Sequence, residues 1–235
     1  MPSAPATAAL KGISSMATRA LLAELVAGFE AQTGTAVAIE SVGGVDAAKR
    51  VAAGEAFDLV LLASDALDKL AVAGHVLPTR VDYVHSPVAI AVPAGAPLPD
   101  VGSEAALKAA VQAAATIGYS TGPSGQHLMR LFERWGLAAE LASRTVQAKP
   151  GVPVGSQVAS GEVALGFQQL SELQGLPGIQ IVGLLPADCA FITTFSGCVA
   201  TASPQPELAQ RFLAHLNSPN TAATKQRHGM TPVGV

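Results

Sequence analysis

The sequence predicts an α/β protein of two lobes, each a mostly parallel sheet with helices on both faces, with two crossover hinge strands. Three observations predict it. Short aliphatic segments that read as strands alternate with amphipathic segments at helical spacing along nearly the whole chain. Two apolar segments, Tyr83 to Pro93 and Ala190 to Ala202, read as long strands and flank an inserted run of β-α units. Four strand-to-helix turns are built from Gly, Ser and Pro.

The elements follow in order. Leu21, Leu22, Leu25, Val26 and Phe29 repeat at helical spacing, which predicts a helix from Ser15 to Gly34, where glycine is a natural stop. Thr35 to Val42 reads as a strand, Val45 to Ala53 as a helix ended by Gly54, and Asp58 to Ala63 as an apolar strand. Ser64 and Asp65 are expected to cap a helix from Ala66 to Val72, with Gly74 closing it.

Beyond the first long strand come a helix from Glu104 to Ala113, a strand from Ala115 to Tyr119 and a helix from Ser124 to Trp135. A strand from Arg144 to Ala148, a helix from Val154 to Ser160, and strands Val163 to Phe167 and Ile179 to Val182 complete the insertion. The second long segment precedes a helix from Pro206 to Leu216 and a last turn, Thr221 to Gln226. Residues 1–85 and 196–235 should therefore form one lobe and residues 86–195 the other. Ser86 to Val92 and Thr193 to Val199 would be the crossovers. Ligand is expected in the cleft, at the carboxyl ends of the parallel strands.

Composition bounds the function. The 235 residues are 49% hydrophobic and only 13% charged, enough core material for two lobes of roughly 100 residues each. A net charge of -3 and no run of Lys or Arg argue against nucleic acid. No apolar stretch reaches the roughly 18 to 20 residues that span a bilayer, so no membrane insertion is expected. The first nine residues, Met1 to Ala9, have neither a basic start nor a leucine-rich core. Two locations stay open: periplasmic, if a signal peptide was removed before Met1, or cytoplasmic.

Cys189 and Cys198 share one apolar segment, and buried free thiols are expected. His75, His85, His215 and His228 show no ligand spacing, so no metal is expected. There is no Gly-x-Ser-x-Gly elbow, no Walker loop and no Gly-x-Gly-x-x-Gly after a strand, which leaves hydrolase, kinase and dehydrogenase readings without support. No cofactor is expected.

The four turns carry the functional reading. They are Gly12-Ile13-Ser14-Ser15, Ser41-Val42-Gly43-Gly44, Tyr119 to Gly125, and Pro150-Gly151-Val152-Pro153. Each places unpaired backbone N–H groups at the positive end of a helix dipole, often with a hydroxyl beside them. Four such ends would hold a small oxyanion without a dedicated cation. The binding candidates are Ser14, Ser15, Arg19, Gly43, Gly44, Tyr119, Ser120, Thr121, Ser124, Gly125, Val152, Pro153 and Val154. Gln168 and Gln169, read as a polar pair following an apolar strand, join them. Tyr119 and His127 are the candidates for proton transfer, His127 because it titrates near neutrality.

The order Gly-Ile-Ser-Ser, helix, Ser-Val-Gly-Gly, helix, Phe57-Asp58-Leu59-Val60-Leu61-Leu62-Ala63-Ser64-Asp65-Ala66 resembles the molybdate-binding-protein branch of the type II periplasmic solute-binding proteins. So do Arg80-Val81-Asp82, Val158 to Phe167, and His228-Gly229-Met230-Thr231-Pro232. The resemblance runs from Lys11 to Pro232. It implies the two-lobed type II periplasmic-binding-protein fold, a monomer, a small anionic ligand, and an ABC transporter membrane component as partner. It places the ligand contacts at Ser14 or Ser15, Gly43 or Gly44, Tyr119 to Gly125, Val152 to Val154, and Gln168 or Gln169.

The departures from that pattern bear on the ligand. Gly43-Gly44-Val45 stands where a Ser follows the Gly, Gln replaces a Tyr, and Arg19 lies one turn beyond Ser15. These changes favour a planar carboxylate over a tetrahedral metal oxyanion, with Arg19 as a bidentate partner. The expectation is a binding protein that closes over a di- or tricarboxylate. Two alternatives accompany it: a tricarboxylate isomerase, since a minor branch resembling this family contains an aconitate isomerase, and a molybdate or tungstate receptor.

Overall fold

The structure, a computed structural model, describes residues 9–149 and 151–234. Of the first nine residues all but Ala9, together with Pro150 of the fourth turn, lie outside the described residues. The chain divides into two compact units, Met1–Val84 with Thr194–Val235, and His85–Thr193.

The chain opens with β1 (Leu10–Ser15), a 3-10 turn (Met16–Thr18), α1 (Arg19–Thr33), β2 (Val37–Val42) and α2 (Gly44–Ala52). Then come β3 (Leu59–Ala63), α3 (Ser64–Val72), the long β4 (Val81–Pro93) and α4 (Glu104–Ala113). Next are β5 (Ile117–Tyr119), α5 (Pro123–Arg134), α6 (Ala138–Leu141), β6 (Thr145–Gln147) and α7 (Val154–Ala159). β7 (Leu165–Gln169), α8 (Leu170–Leu173), β8 (Ile179–Leu184), β9 (Ile192–Val199), α9 (Pro206–Leu216) and α10 (Ala222–Arg227) follow. The unit boundaries fall inside β4 and β9.

In the first unit β1 pairs parallel with β2 and β3, and β9 joins β3 antiparallel. The strand period of two sorts the core. Leu59 and Leu61 of β3 face Leu21, Leu22, Leu25 and Phe29 of α1 and Phe212 and Leu213 of α9. Val60 and Leu62 face Ala47 and Val51 of α2 and Leu67 and Leu70 of α3. A strand buried on both faces reads as a continuous apolar run, which is what Leu59 to Ala63 is. Phe29 and Phe212 meet edge to face at 5.2 Å, a contact worth about 1 kcal/mol beyond burial.

The second unit repeats the plan. β5 pairs parallel with β6 and β7, and β4 lies antiparallel to β7 and β8. Leu165 and Phe167 pack with Leu107, Val111, Leu128 and Phe132 from α4 and α5. The other face carries Ala89, Ala91 and Val154, Val158 of α7. α7 sits so close that a Cβ on Gly166 would fall 2.4 Å from Val158.

Most predicted elements stand within a residue or two; three differ, and two short helices were not predicted. The first helix opens with a 3-10 turn because Ser15 caps it, its Oγ accepting from the Ala17 N–H at 3.3 Å. Ser64 and Asp65 are not caps but the first helical residues of α3, whose N-cap is Ala63. β7 runs two residues beyond Phe167, so Gln168 and Gln169 are strand residues rather than residues after a strand. Their backbones continue the ladder against Ala89 and Val88. α6 and α8, four residues each, escaped prediction because one turn is too short to display a helical period.

Cys189 and Cys198 are both buried and free, as expected. Arg80 of the Arg-Val-Asp motif bridges Asp68 at 2.5 Å and Asp82 at 2.8 Å, and Ser196 Oγ donates to the same Asp82 carboxylate at 2.6 Å. That motif ties α3 to the start of β4 and to β9.

Candidate functional site

The first unit presents its candidates at the carboxyl ends of β1 and β2. Parallel pairing sets Ser14 opposite Ser41, and their hydroxyls bond at 2.8 Å. Ser14 is fully buried, so its side chain holds two strands together. Ser15 is half-buried and closes the turn by capping. Gly44, the first residue of α2, lies against it: a Cβ there would come 3.8 Å from Ser15 Oγ. No side chain caps α2, whose N-cap is Gly43. Ser15, Gly43 and Gly44 thus meet at one turn, with hydroxyl and helix N–H groups together.

Arg19 begins α1 and is exposed. It flanks a groove of about 570 Å³ between α1 and β2, lined also by Leu22, Val26, Ile39, Glu40 and Ser41.

In the second unit the register of β5 sets Tyr119 beside Gln147 of β6 and Phe167 of β7. The segments that follow these three parallel strands therefore leave from the same edge of the sheet. They are the Ser120–Gly122 turn into α5, the segment before α7, and α8.

The Ser120–Gly122 turn gathers two hydroxyls at a helix start without a side-chain cap. Ser120 Oγ and Ser124 Oγ lie 2.9 Å apart, with Ser124 buried. α5 has Gly122 as N-cap, Pro123 in its first turn, and no side-chain cap. Gly125 is required here by close approach: a Cβ would sit 1.8 Å from the Ser120 carbonyl oxygen and 3.0 Å from the Tyr119 ring. Thr121 is half-buried beside them.

At the fourth turn Val152 is exposed and Pro153 is the N-cap of α7. Val154 is fully buried in the core, so only its backbone can meet a ligand. The next N–H, of Gly155, donates to Gln168 Oε1 at 3.1 Å.

The two glutamines are buried and committed to protein partners. Gln169, oriented so that both ends are satisfied, accepts from Thr193 Oγ1 at 2.6 Å and donates to Ser86 Oγ at 2.8 Å. Gln168 spans Gly155 and Glu172: its Nε2 donates to Glu172 Oε1 at 2.9 Å. Glu172, on α8, was not among the sequence candidates. Burial pushes its carboxyl up to about 7, against the hydrogen bond from Gln168, which pulls it down. The signal available in the sequence was a lone acid inside Leu170-Ser171-Glu172-Leu173, four residues after Gln168.

His127 is drawn into packing. Its Nε2 bonds the Cys189 carbonyl at 3.0 Å, its ring stacks on Phe191 at 4.6 Å, and burial lowers its pKa. The imidazole thus fixes the segment before β9. Among the described residues there is no cluster of His, Cys, Asp and Glu able to hold a metal ion, and no helix is long and apolar enough to cross a membrane.

Residues 10–231 match the family model described as bacterial extracellular solute-binding protein. A Pseudomonas sp. protein named aconitate isomerase is 41% identical over 186 residues, 78% of this chain and 71% of that protein. The fold is similar to the Azotobacter vinelandii periplasmic molybdate-binding protein, with TM-score 0.78, 23% identity, and 94% and 98% of the two chains covered. It is also similar to the sulfate-binding protein SubI of Mycobacterium tuberculosis, with TM-score 0.77, 15% identity, and 96% and 87% covered.

Proposed function

This chain belongs to the family of bacterial extracellular solute-binding proteins, and we propose that its ligand is a small tricarboxylate of the aconitate kind, whose double bond it moves. The observation that carries this reading is the 41% identity to the Pseudomonas aconitate isomerase, which spans most of both chains. The geometry agrees with it. The Ser120–Ser124 pair and the uncapped start of α5 offer O–H and N–H donors to a carboxylate. In the other unit, the turn of Ser15, Gly43 and Gly44 gathers hydroxyl and N–H donors of its own. Arg19, exposed at the start of α1, is a cation suited to a carboxylate.

The chemistry needs no cofactor. A proton leaves the methylene next to a carboxylate, the charge spreads into that carboxylate, and a proton returns to the former vinyl carbon. Donors fixed in place stabilise the intermediate charge. The family description supports a location outside the cytoplasm.

A second reading is a receptor that hands its anion to an ABC transporter membrane component. The likeness in fold to the molybdate-binding protein favours it. Thermal shift separates the ligands. Tricarballylate, the saturated tricarboxylate, at about 100 times its Kd should stabilise the protein by about 2.7 kcal/mol, several degrees in Tm. Molybdate, tungstate and sulfate should do nothing at the same concentration. Stabilisation by molybdate alone would replace this reading with the receptor.

A further inference from the structure

We propose that Glu172 is the proton-transfer residue of this protein, taking a proton from the methylene of a bound tricarboxylate and returning one to its vinyl carbon. The inference rests on the isomerase reading and names the group that reading lacked. Neither sequence candidate fits the role as well. His127 is bonded to the Cys189 carbonyl and stacked on Phe191. Tyr119 packs its ring over Gly125.

Three placements support Glu172. First, α8 follows β7 directly, and β7 runs parallel to β5, so Glu172 leaves the sheet at the same edge as the Ser120–Ser124 turn. Second, its carboxyl is aimed by a relay within the second unit. The Gly155 N–H fixes Gln168 Oε1, and Gln168 Nε2 fixes Glu172 Oε1. A hydrogen-bonded amide between a helix N–H and a carboxyl leaves the carboxyl little rotational freedom. Third, the carboxyl is held through Oε1 by Gln168, and among the described residues no ion pair neutralises Glu172. A carboxylate without a cation, largely withdrawn from water, is a stronger base than a surface one, and it exchanges protons near neutrality.

The step balances without any other reagent. Glu172 Oε2 as carboxylate forms an O–H bond as a methylene C–H bond breaks, and the electron pair moves through the allyl system into the carboxylate of the substrate. The same proton, or one exchanged with water, then forms the new C–H bond at the former vinyl carbon. Glu172 is again a carboxylate. Gln168 acts through Glu172 and is a positioning residue.

The test follows wild type, Glu172→Gln and Glu172→Asp with cis-aconitate in D2O, with calorimetric binding of tricarballylate alongside. Wild type should interconvert the isomers and incorporate deuterium at the methylene and vinyl positions. Glu172→Gln should lose at least about 100-fold in kcat, while tricarballylate affinity stays within threefold. Glu172→Asp, keeping the acid but moving it, should recover part of the rate. If Glu172→Gln retains kcat within a few-fold, or loses affinity in step with rate, the assignment is overturned. If wild type binds tricarballylate but neither isomerises nor exchanges, the assignment and the isomerase reading fall and tricarboxylate binding stands. If wild type does not bind tricarballylate, the ligand class itself is wrong.

Discussion

Ser120 Oγ lies 2.9 Å from Ser124 Oγ, so the two hydroxyls share one hydrogen bond. Two hydroxyls carry two protons, and one shared bond uses one of them. The other is available to an anion at the start of α5, where the helix N–H groups have no side-chain cap.

Ser124→Ala should therefore weaken tricarboxylate binding by roughly 10- to 100-fold, the usual effect of deleting a hydrogen bond to a charged group. Ser14→Ala is the contrast. Its hydroxyl is spent on Ser41 at 2.8 Å, so it should cost about 1 kcal/mol of stability and leave the Kd unchanged within twofold. Calorimetry and thermal melts on both variants check this. Equal affinity losses would mean the two turns are not distinguished as described.

Gly125→Ala should abolish the Ser120–Gly122 turn as built. The added methyl meets the Ser120 carbonyl at 1.8 Å, and neither backbone can yield without moving Tyr119 or α5. Binding should fall with stability, by about 1 to 3 kcal/mol or more. A variant with wild-type Tm and Kd would show that the turn is not packed as it stands here.

Two desolvated groups give opposite pH signatures. Glu172 has its carboxyl pushed up to about 7 from an ordinary 4.5, so the folded protein binds the extra proton between those values. Stability from this group is present below about pH 4.5 and is lost as pH rises through about 7. Glu172→Gln should then raise Tm at pH 8, by up to about 3 kcal/mol of stability, and make little difference at pH 4.5. Lys225 is 1% exposed, and burial pushes its ammonium down to about 8 from 10.5. Here the unfolded chain binds the extra proton, so stability rises as pH climbs from about 8 to 10.5. Lys225→Met should raise Tm at pH 7 by a few degrees. Melts at three pH values read both effects, and a Glu172→Gln benefit larger at pH 4.5 than at pH 8 would contradict the first.

Much of the fold was legible because its signals are local. Leu59 to Leu62 announces a strand buried on both faces, and Gly34, with φ of 68°, stops α1 where glycine alone is comfortable. The Ser120–Gly125 turn was also legible, from its composition. The roles of Gln168, Gln169 and Glu172 were not. Two polar amides look like the end of a strand, and only the partners Gly155, Thr193 and Ser86 keep them inside one. His127 looked like a titrating group near the turn, yet its partner Cys189 lies 62 residues away. The unusual proton affinity of Glu172 comes from burial, against the opposing pull of the Gln168 hydrogen bond, and no residue pattern displays either.

Whether this chain moves the double bond of a tricarboxylate is decided by proton NMR of the wild-type protein with cis-aconitate in one tube and trans-aconitate in another. Both tubes should reach the same isomer ratio at a rate proportional to protein concentration. Unchanged spectra in both, with tricarballylate bound to the same protein by calorimetry, would contradict it.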